Sequence, residues 1–313
     1  MTPQQDALFK SLIDTITLRM GYKTASDATP DDKNEQALTL LEALREKRFE
    51  FEPEIWHDAR DTDGSQHFPS ELLLRARTID NKLIKPLAPI TLIGELGLQN
   101  LLDKALILAA TEQAIRKNQL PVSINTSARN MASPDFWVGI AQMLREQFPK
   151  DKIQGQLTFE VLEDDLASNP CREVLLEMKK EFGCRFAVDD FYHDRRRLEA
   201  EHAEIESTDW ERLDNLKDII DFVKIDGETV EDSLKFNDRY DLAGLIEKIR
   251  TVVPRAFIVL ERVKNADEAY LLSYVGDAVQ GLYLTHDRSD FKQELLTASY
   301  NFPPAPAPDK KKM

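Results

Sequence analysis

The sequence predicts an α/β protein: a modified TIM (β/α)8 barrel that opens with a β-hairpin and carries an N-terminal helical extension. Three observations predict it. Short apolar runs alternate with helical patterns along most of the chain, and such alternation builds a parallel sheet. The length of 313 residues exceeds a typical single domain but suits an α/β barrel with an extension. Polar side chains stand where the apolar runs meet loops. Groups at the ends of different parallel strands converge on the face where such sheets keep their chemistry.

In chain order, residues 4 to 20 read as an amphipathic helix, with Leu8, Leu12, Ile13, Ile16 and Leu18 near one stripe. A polar loop follows from Thr24 to Asn34. Glu35 to Lys47 reads as a second helix through Leu38, Leu40, Leu41 and Leu44. These make an extension over residues 1–47, too small for a confident independent fold. The main domain spans 48–300. It opens with a strand over Phe49, Phe51, Ile55 and Trp56, then a turn signal at Asp63-Gly64, then a strand containing Glu71. Helical patterns follow near 89–97, 100–117, 134–148, 168–182, 228–235, 240–252 and 265–275. Residues 301–313 are Pro-rich and then Lys-rich, a composition that predicts a disordered tail.

Composition excludes several classes. Hydrophobic residues make up 42% of the chain, enough for a full core. The net charge of −15 argues against DNA, RNA or anionic membrane as partners. Small anionic ligands held by metal ions stay open. The two cysteines, Cys171 and Cys184, read as free thiols of a reduced chain. No apolar stretch approaches the roughly 18 residues that span a bilayer, and the N-terminus lacks the regions of a signal peptide. The expected location is cytoplasmic.

The strand-end inventory is Glu71, Asn125, Glu160, Asp189, Asp190, Lys224, Asp226, Glu261 and Gln280. Oxygen ligands of this kind suit hard cations such as Mg²⁺, Mn²⁺ or Ca²⁺. Side chains alternate along a strand, but at its end both Asp189 and Asp190 could turn toward one site. One carboxylate could then bridge two metals about 3.5–4 Å apart, the arrangement used for in-line attack on phosphoesters. A lysine among them would bring positive charge to a phosphate oxygen or orient the attacking water. Plainer readings stand beside these. Glu71 could face solvent, Lys224 could be an exposed lysine, and Asp226 could cap a turn before Gly227. His193 and Arg195-Arg196-Arg197 read as solvated loop residues.

The residues also resemble a family, the EAL-domain cyclic di-GMP phosphodiesterases of bacteria, over roughly residues 49 to 285. Glu71-Leu72-Leu73-Leu74-Arg75 stands at the family's Glu-Ala-Leu signature, with Leu72 in place of alanine. Ile84 to Leu98 resembles the segment that follows it. Ser123-Ile124-Asn125-Thr126-Ser127-Ala128-Arg129 looks like its asparagine motif, and Phe159-Glu160-Val161-Leu162-Glu163 like its Glu-x-x-Glu motif. Val188-Asp189-Asp190-Phe191, Val223-Lys224-Ile225-Asp226, Leu260-Glu261-Arg262-Val263 and Val279-Gln280-Gly281 complete the series in the family's order.

The resemblance implies roles. Glu71, Asn125, Glu160 and Asp189 would hold one divalent ion, Mg²⁺ or Mn²⁺. Asp189, Asp190 and Glu261 would hold or flank a second. Lys224, Glu261 and Asp190 would be catalytic, with Lys224 assisting the water and the phosphate. Arg75, Gln280 and Asp226 would bind substrate, and Glu163 would anchor a loop. The implied reaction opens one phosphodiester of cyclic di-GMP to give linear pGpG. A second copy of the chain, or a regulatory protein, is a further partner left open.

Three departures from the family pattern bear on activity. Asp189-Asp190-Phe191 is followed by Tyr192-His193-Asp194-Arg195-Arg196-Arg197, where the family has a glycine-rich loop. Asp189 and Lys224 stand 35 positions apart, a wider spacing than the family's. Arg262 replaces a glycine and Lys264 a glutamate in the family's Glu-Gly-Val-Glu. An altered loop implies weakened catalysis. The alternative is therefore a catalytically weak or inactive EAL-like domain that serves as a cyclic di-GMP receptor or protein-binding regulator.

Overall fold

In a computed structural model of the chain, the residues described are 2–24, 32–60, 68–161, 171–191, 210–211, 213–235, 239–284 and 287–301. They divide into two compact units. The first comprises Met1–Pro53 and Pro69–Ala187, the second Glu54–Phe68 and Val188–Met313.

The first unit begins with α1 (Pro3–Thr24) and α2 (Asp32–Arg45). Phe9, Ile13, Ile16 and Met20 of α1 are fully buried, at spacings that return to one helix face. The buried stripe is therefore rotated from the expected one. Leu8 and Leu12 flank it, and Leu18 is exposed. The reason is the neighbour: α1 packs on both α2 and α4 (Gln99–Lys117), and Phe9 stacks on Phe49. The α2 stripe is Ala37, Leu40, Leu41 and Leu44, with Leu38 turned outward.

The strands of this unit are β1 (Phe49–Ile55), β3 (Ser70–Arg77), β4 (Leu83–Ile84), β5 (Val122–Thr126) and β6 (Leu157–Val161). A two-residue β2 (His57–Asp58) lies between β1 and β3 in the chain. The strand order is β1-β3-β5-β6, with β4 antiparallel on β3. β3, β5 and β6 are parallel, and Asn125 is the register partner of Glu160. The helices between strands are α3 (Leu87–Glu95), α4, α5 (Pro134–Gln147), the single-turn α6 (Lys150–Ile153) and α7 (Arg172–Phe182). Three of the boundaries have a local cause. Asn118 ends α4 and Gly183 ends α7 in the left-handed conformation. Ser133 accepts the Phe136 amide at the start of α5, with Pro134 in the first turn. Behind β6, Trp137 packs edge-on against Phe159 and Phe186.

β7 (Arg185–Phe191) begins in the first unit and finishes in the second. There follow β8 (Phe222–Ile225), α8 (Gly227–Lys235), α9 (Arg239–Val252), β9 (Phe257–Leu260), α10 (Ala266–Leu272), β10 (Ala278–Val279) and α11 (Arg288–Asn301). The order is β7-β8-β9-β10-β2. β8, β9 and β10 are parallel, while β2 runs antiparallel to β10. β1 thus ends the strand order of the first unit and β2 that of the second. The turn signal at Asp63-Gly64 lies outside the described residues; of the tail predicted over 301–313, Asn301 closes α11 and the rest lies outside them. The predicted helices are present within a few residues of their expected ends; α11 is an addition that the helical pattern did not reveal. Among the described residues no helix is long and apolar enough to cross a membrane.

Candidate active site

Two groups of polar side chains stand near strand ends, one in each unit. In the first, Glu71 and Glu160 are buried on β3 and β6. Asn125 donates from Nδ2 to Glu71 Oε1 at 2.6 Å. Its Oδ1 is buried and has no hydrogen-bond partner, which leaves a lone-pair oxygen available to a cation. The solvent-facing reading of Glu71 does not hold, because its side chain is only 6% exposed.

Asp103, a residue the sequence analysis did not single out, holds the turn that follows Asn125. It projects from α4 and is buried. Its Oδ2 accepts from the Ser127 amide at 2.9 Å and from Asn130 Nδ2 at 2.6 Å, and its Oδ1 accepts from Gln99 Nε2 at 2.6 Å. Burial pushes this carboxyl up to about 6 against the pull of those three bonds. A carboxyl with a raised folded-state pKa binds its proton more tightly when folded. Stability therefore falls as pH rises from about 4 to about 6. Asp103→Asn is expected to remove that slope, a change on the order of 3 kcal/mol at neutral pH before the altered hydrogen bonding is counted. Urea midpoints at pH 4, 5, 6 and 7 measure it. The signal in the sequence was a carboxylate inside the apolar pattern of Leu101 to Leu108.

In the second unit, Lys224 is the centre. It is 1% exposed, so the reading of an exposed lysine does not hold. Its Nζ lies 2.7 Å from Asp189 Oδ1 and 2.7 Å from Glu261 Oε1. Phe222 and Lys224 share one face of β8 by the two-residue period. The indole of Trp56 touches both: its ring meets Phe222 edge-on at 5.3 Å, and its centroid lies 5.5 Å from Lys224 Nζ. Asp190 adopts a φ of +46° at the end of β7. That turn breaks strict alternation, so Asp189, Asp190 and Glu261 each offer an oxygen within 4.8 Å of the others. Burial, first of all, raises the Glu261 carboxyl well above the usual carboxylate range. The Lys224 charge opposes this shift, and the Asp189 and Asp190 charges add to it. Three carboxylates and no sulfur or imidazole make a donor set that fits a hard divalent cation.

The remaining candidates divide. Gln280 is buried just after β10; its backbone N–H donates to Leu260 O at 2.9 Å and its backbone carbonyl accepts from Val263 N at 3.0 Å. Asp226 is fully buried, and its Oδ2 accepts from the amides of Glu228 and Thr229 at 2.8 and 3.2 Å. It caps α8, as the plain reading had it. Arg75 donates from Nε to Glu52 Oε2 at 2.7 Å, which places its guanidinium against β1. Glu163, His193 and the Tyr192 to Arg197 loop lie outside the described residues.

The departures near β9 have a structural counterpart. Arg262 keeps the left-handed backbone that suits a glycine, with φ of +53°. Its stem covers Gly227, where a Cβ would stand 2.2 Å from Arg262 Cγ. Lys264 pairs with Glu231 of α8 at 3.2 Å. Close approach also explains Gly281, whose added Cβ would stand 1.8 Å from Val263 O. Gly281→Ala is expected to destabilise the fold by at least about 2 kcal/mol through forced backbone movement. A lowered urea midpoint with an unchanged slope would show it.

The family model of the EAL domain matches residues 38–287. The chain is 26% identical over 220 residues to the cyclic di-GMP phosphodiesterase PdeF of Escherichia coli (strain K12). That match covers 67% of this chain and 27% of the relative, so the chain spans about a quarter of the relative's length. Among solved structures, the EAL domain of FimX from Pseudomonas aeruginosa bound to c-di-GMP aligns with a TM-score of 0.59 at 20% identity. It covers 82% of this chain and 96% of that one. The S helix-GGDEF-EAL structure of Vibrio cholerae LapD, also bound to c-di-GMP, aligns with a TM-score of 0.61 at 16% identity, over 83% of this chain and 59% of that one. These likenesses show the modified (β/α)8 fold.

Proposed function

Because this chain belongs to the EAL domain family, we propose that it hydrolyses cyclic di-GMP to linear pGpG in a reaction that depends on divalent metal. The observation that carries the reading is the buried Lys224 ammonium between Asp189 and Glu261, with Asp190 beside them. A buried lysine held by two carboxylates is an unusual use of charge, and at a strand-end cluster it points to work on an anionic ligand.

The ligand roles follow the family pattern. Glu71, Asn125, Glu160 and Asp189 would hold one ion; Asp189, Asp190 and Glu261 would hold or flank the other. Two Mg²⁺ or Mn²⁺ ions would supply Lewis acidity to the phosphate and lower the pKa of the attacking water. Glu261 would orient that water and accept its proton. Lys224 would present positive charge to a phosphate oxygen as negative charge builds there. Gln280 and Arg75 would fix the ligand, the latter by exchanging Glu52 for a phosphate, a bidentate partner that suits a guanidinium. Asp226 would act through α8 by fixing its first turn. An acidic chain can bind this dianion because the ions offset both sets of charge.

The test is incubation of the chain with cyclic di-GMP in Mn²⁺ or Mg²⁺, with an EDTA control, and separation of the products. Metal-dependent pGpG supports the reading. Tight binding without product supports a receptor instead, a reading favoured by the charged sequence at Tyr192 to Arg197 and by the Lys264–Glu231 pair. Neither affinity nor product would remove both readings. A cytoplasmic location and a homodimer or regulatory protein partner belong to the same proposal, since cyclic di-GMP signalling is their common premise.

A further inference from the structure

We propose that Trp56 and Arg288 are positioning residues that hold the Lys224 ammonium against Asp189 and Glu261. The proposal rests on the hydrolytic role given to Lys224, but its geometry stands without it.

A lysine side chain has a flexible four-carbon stem and a strongly hydrated head. Burial strips that hydration, so the head must be held by what surrounds it. Two carboxylates take one side of the ammonium, each at 2.7 Å. The Trp56 indole takes another, with its centroid 5.5 Å away. A π face attracts a cation yet offers no competing oxygen. It therefore favours the charged head while leaving its N–H groups directed at Asp189 and Glu261. An aliphatic residue at 56 would fill space without that attraction.

Trp56 itself needs fixing, because it stands between β1 and β2 with no ladder of its own. Arg288, the first residue of α11, supplies the anchor. Its Nη1 donates to Trp56 O at 2.9 Å and its Nη2 donates to Phe68 O at 2.7 Å. One planar fork thus ties together the two ends of the stretch from 56 to 68. Phe68 meets Phe257 edge-on at 5.5 Å, and Trp56 meets Phe222 at 5.3 Å. The path from Arg288 to Lys224 is then a bonded carbonyl, a fully buried ring and a facing ammonium. Neither Trp56 nor Arg288 needs to touch substrate.

The test reads Lys224 directly. In protein labelled with ¹⁵N-lysine, the Lys224 ammonium signal is identified by its loss in Lys224→Arg. Shielding by the indole face is expected to weaken in Trp56→Leu, moving the ammonium protons downfield. Trp56→Phe should keep most of the shielding. Arg288→Met should move the same signal in the same direction as Trp56→Leu. An unmoved signal in Trp56→Leu overturns the proposal, and an unmoved signal in Arg288→Met overturns the part given to Arg288. Should Trp56→Leu fail to fold, Trp56→Phe and Arg288→Met decide. Turnover gives the second arm: Trp56→Leu and Arg288→Met should lower kcat about tenfold with KM within about twofold, and Trp56→Phe should recover most of it. Equal losses in KM, or no rescue by phenylalanine, would mark a merely structural role and overturn the assignment. Absence of turnover in the unaltered chain would refute hydrolysis alone, since the ammonium signal still reports the positioning.

Discussion

Lys224→Met is expected to destabilise the metal-free protein by about 3–5 kcal/mol and to abolish turnover of cyclic di-GMP. The stability effect follows from what the ammonium leaves behind. Asp189 and Glu261 are each 2.7 Å from it, and Asp190 offers an oxygen within 4.8 Å of both. Methionine fills much of the lysine's volume, so packing changes little. What is lost is the one cation seen within this carboxylate cluster among the described residues. The remaining anions are relieved only by taking up a proton or a metal ion. Manganese should therefore stabilise Lys224→Met more than the unaltered chain, because it replaces a missing charge in one and meets a resident charge in the other. Urea denaturation in EDTA and in Mn²⁺ measures both effects. An unchanged midpoint in EDTA would mean that Lys224 and its partners are not a buried ion pair. Turnover that survives would remove Lys224 from the mechanism.

The strand-end logic that exposes this site was legible because period and polarity are local. Phe222 to Asp226 reads as an apolar run broken by a lysine, and β8 is that run. Asn125 and Glu160 end their apolar runs at equivalent points, and register pairs them across β5 and β6. The adjacent pair Asp189-Asp190 was readable as two neighbours turned to one side, and the positive φ of Asp190 is how the backbone does it.

What stayed hidden depends on partners distant in the chain. The buried face of α1 is set by α2 and α4 together, which moved it from Leu12 and Leu18 to Phe9 and Met20. Trp56 read only as the end of a strand, because nothing near it announces a lysine 168 positions on. Asp226 read as a substrate-binding residue by family pattern, and its Oδ2 serves two amides of α8. Arg75 looked free to meet a phosphate until β1 supplied Glu52. Helix α11 was missed because its exposed positions are mixed, with Leu296 and Tyr300 facing outward and Phe291, Leu295 and Ala298 inward.

Glu160→Ala is expected to lower turnover by at least about a thousandfold and to reduce stabilisation by manganese, leaving what the ion at Asp189, Asp190 and Glu261 supplies. Glu160 is fully buried at β6, beside Asn125 in register, and Asn125 in turn donates to Glu71. Affinity of an oxygen site for a hard cation rises with the number of charged ligands it offers. In the proposed ligand set of Glu71, Asn125, Glu160 and Asp189, deleting one of three carboxylates removes a third of the charge. The Asn125 Oδ1 that lacks a partner gains none by the change. In the unaltered chain, manganese at a hundred times its dissociation constant should add about 2.7 kcal/mol to stability. The share of that increment due to the ion at Glu160 should be absent in Glu160→Ala. Glu160→Gln separates charge from shape: it keeps the volume and an oxygen, so turnover that returns with glutamine would mean that anionic character at this position is not what the reaction needs. Circular dichroism and the urea midpoint in EDTA show whether either variant still folds. A variant that folds, keeps its manganese stabilisation and still yields pGpG would take Glu160 out of the metal site and with it the reading of β3, β5 and β6 as ligand-bearing strands.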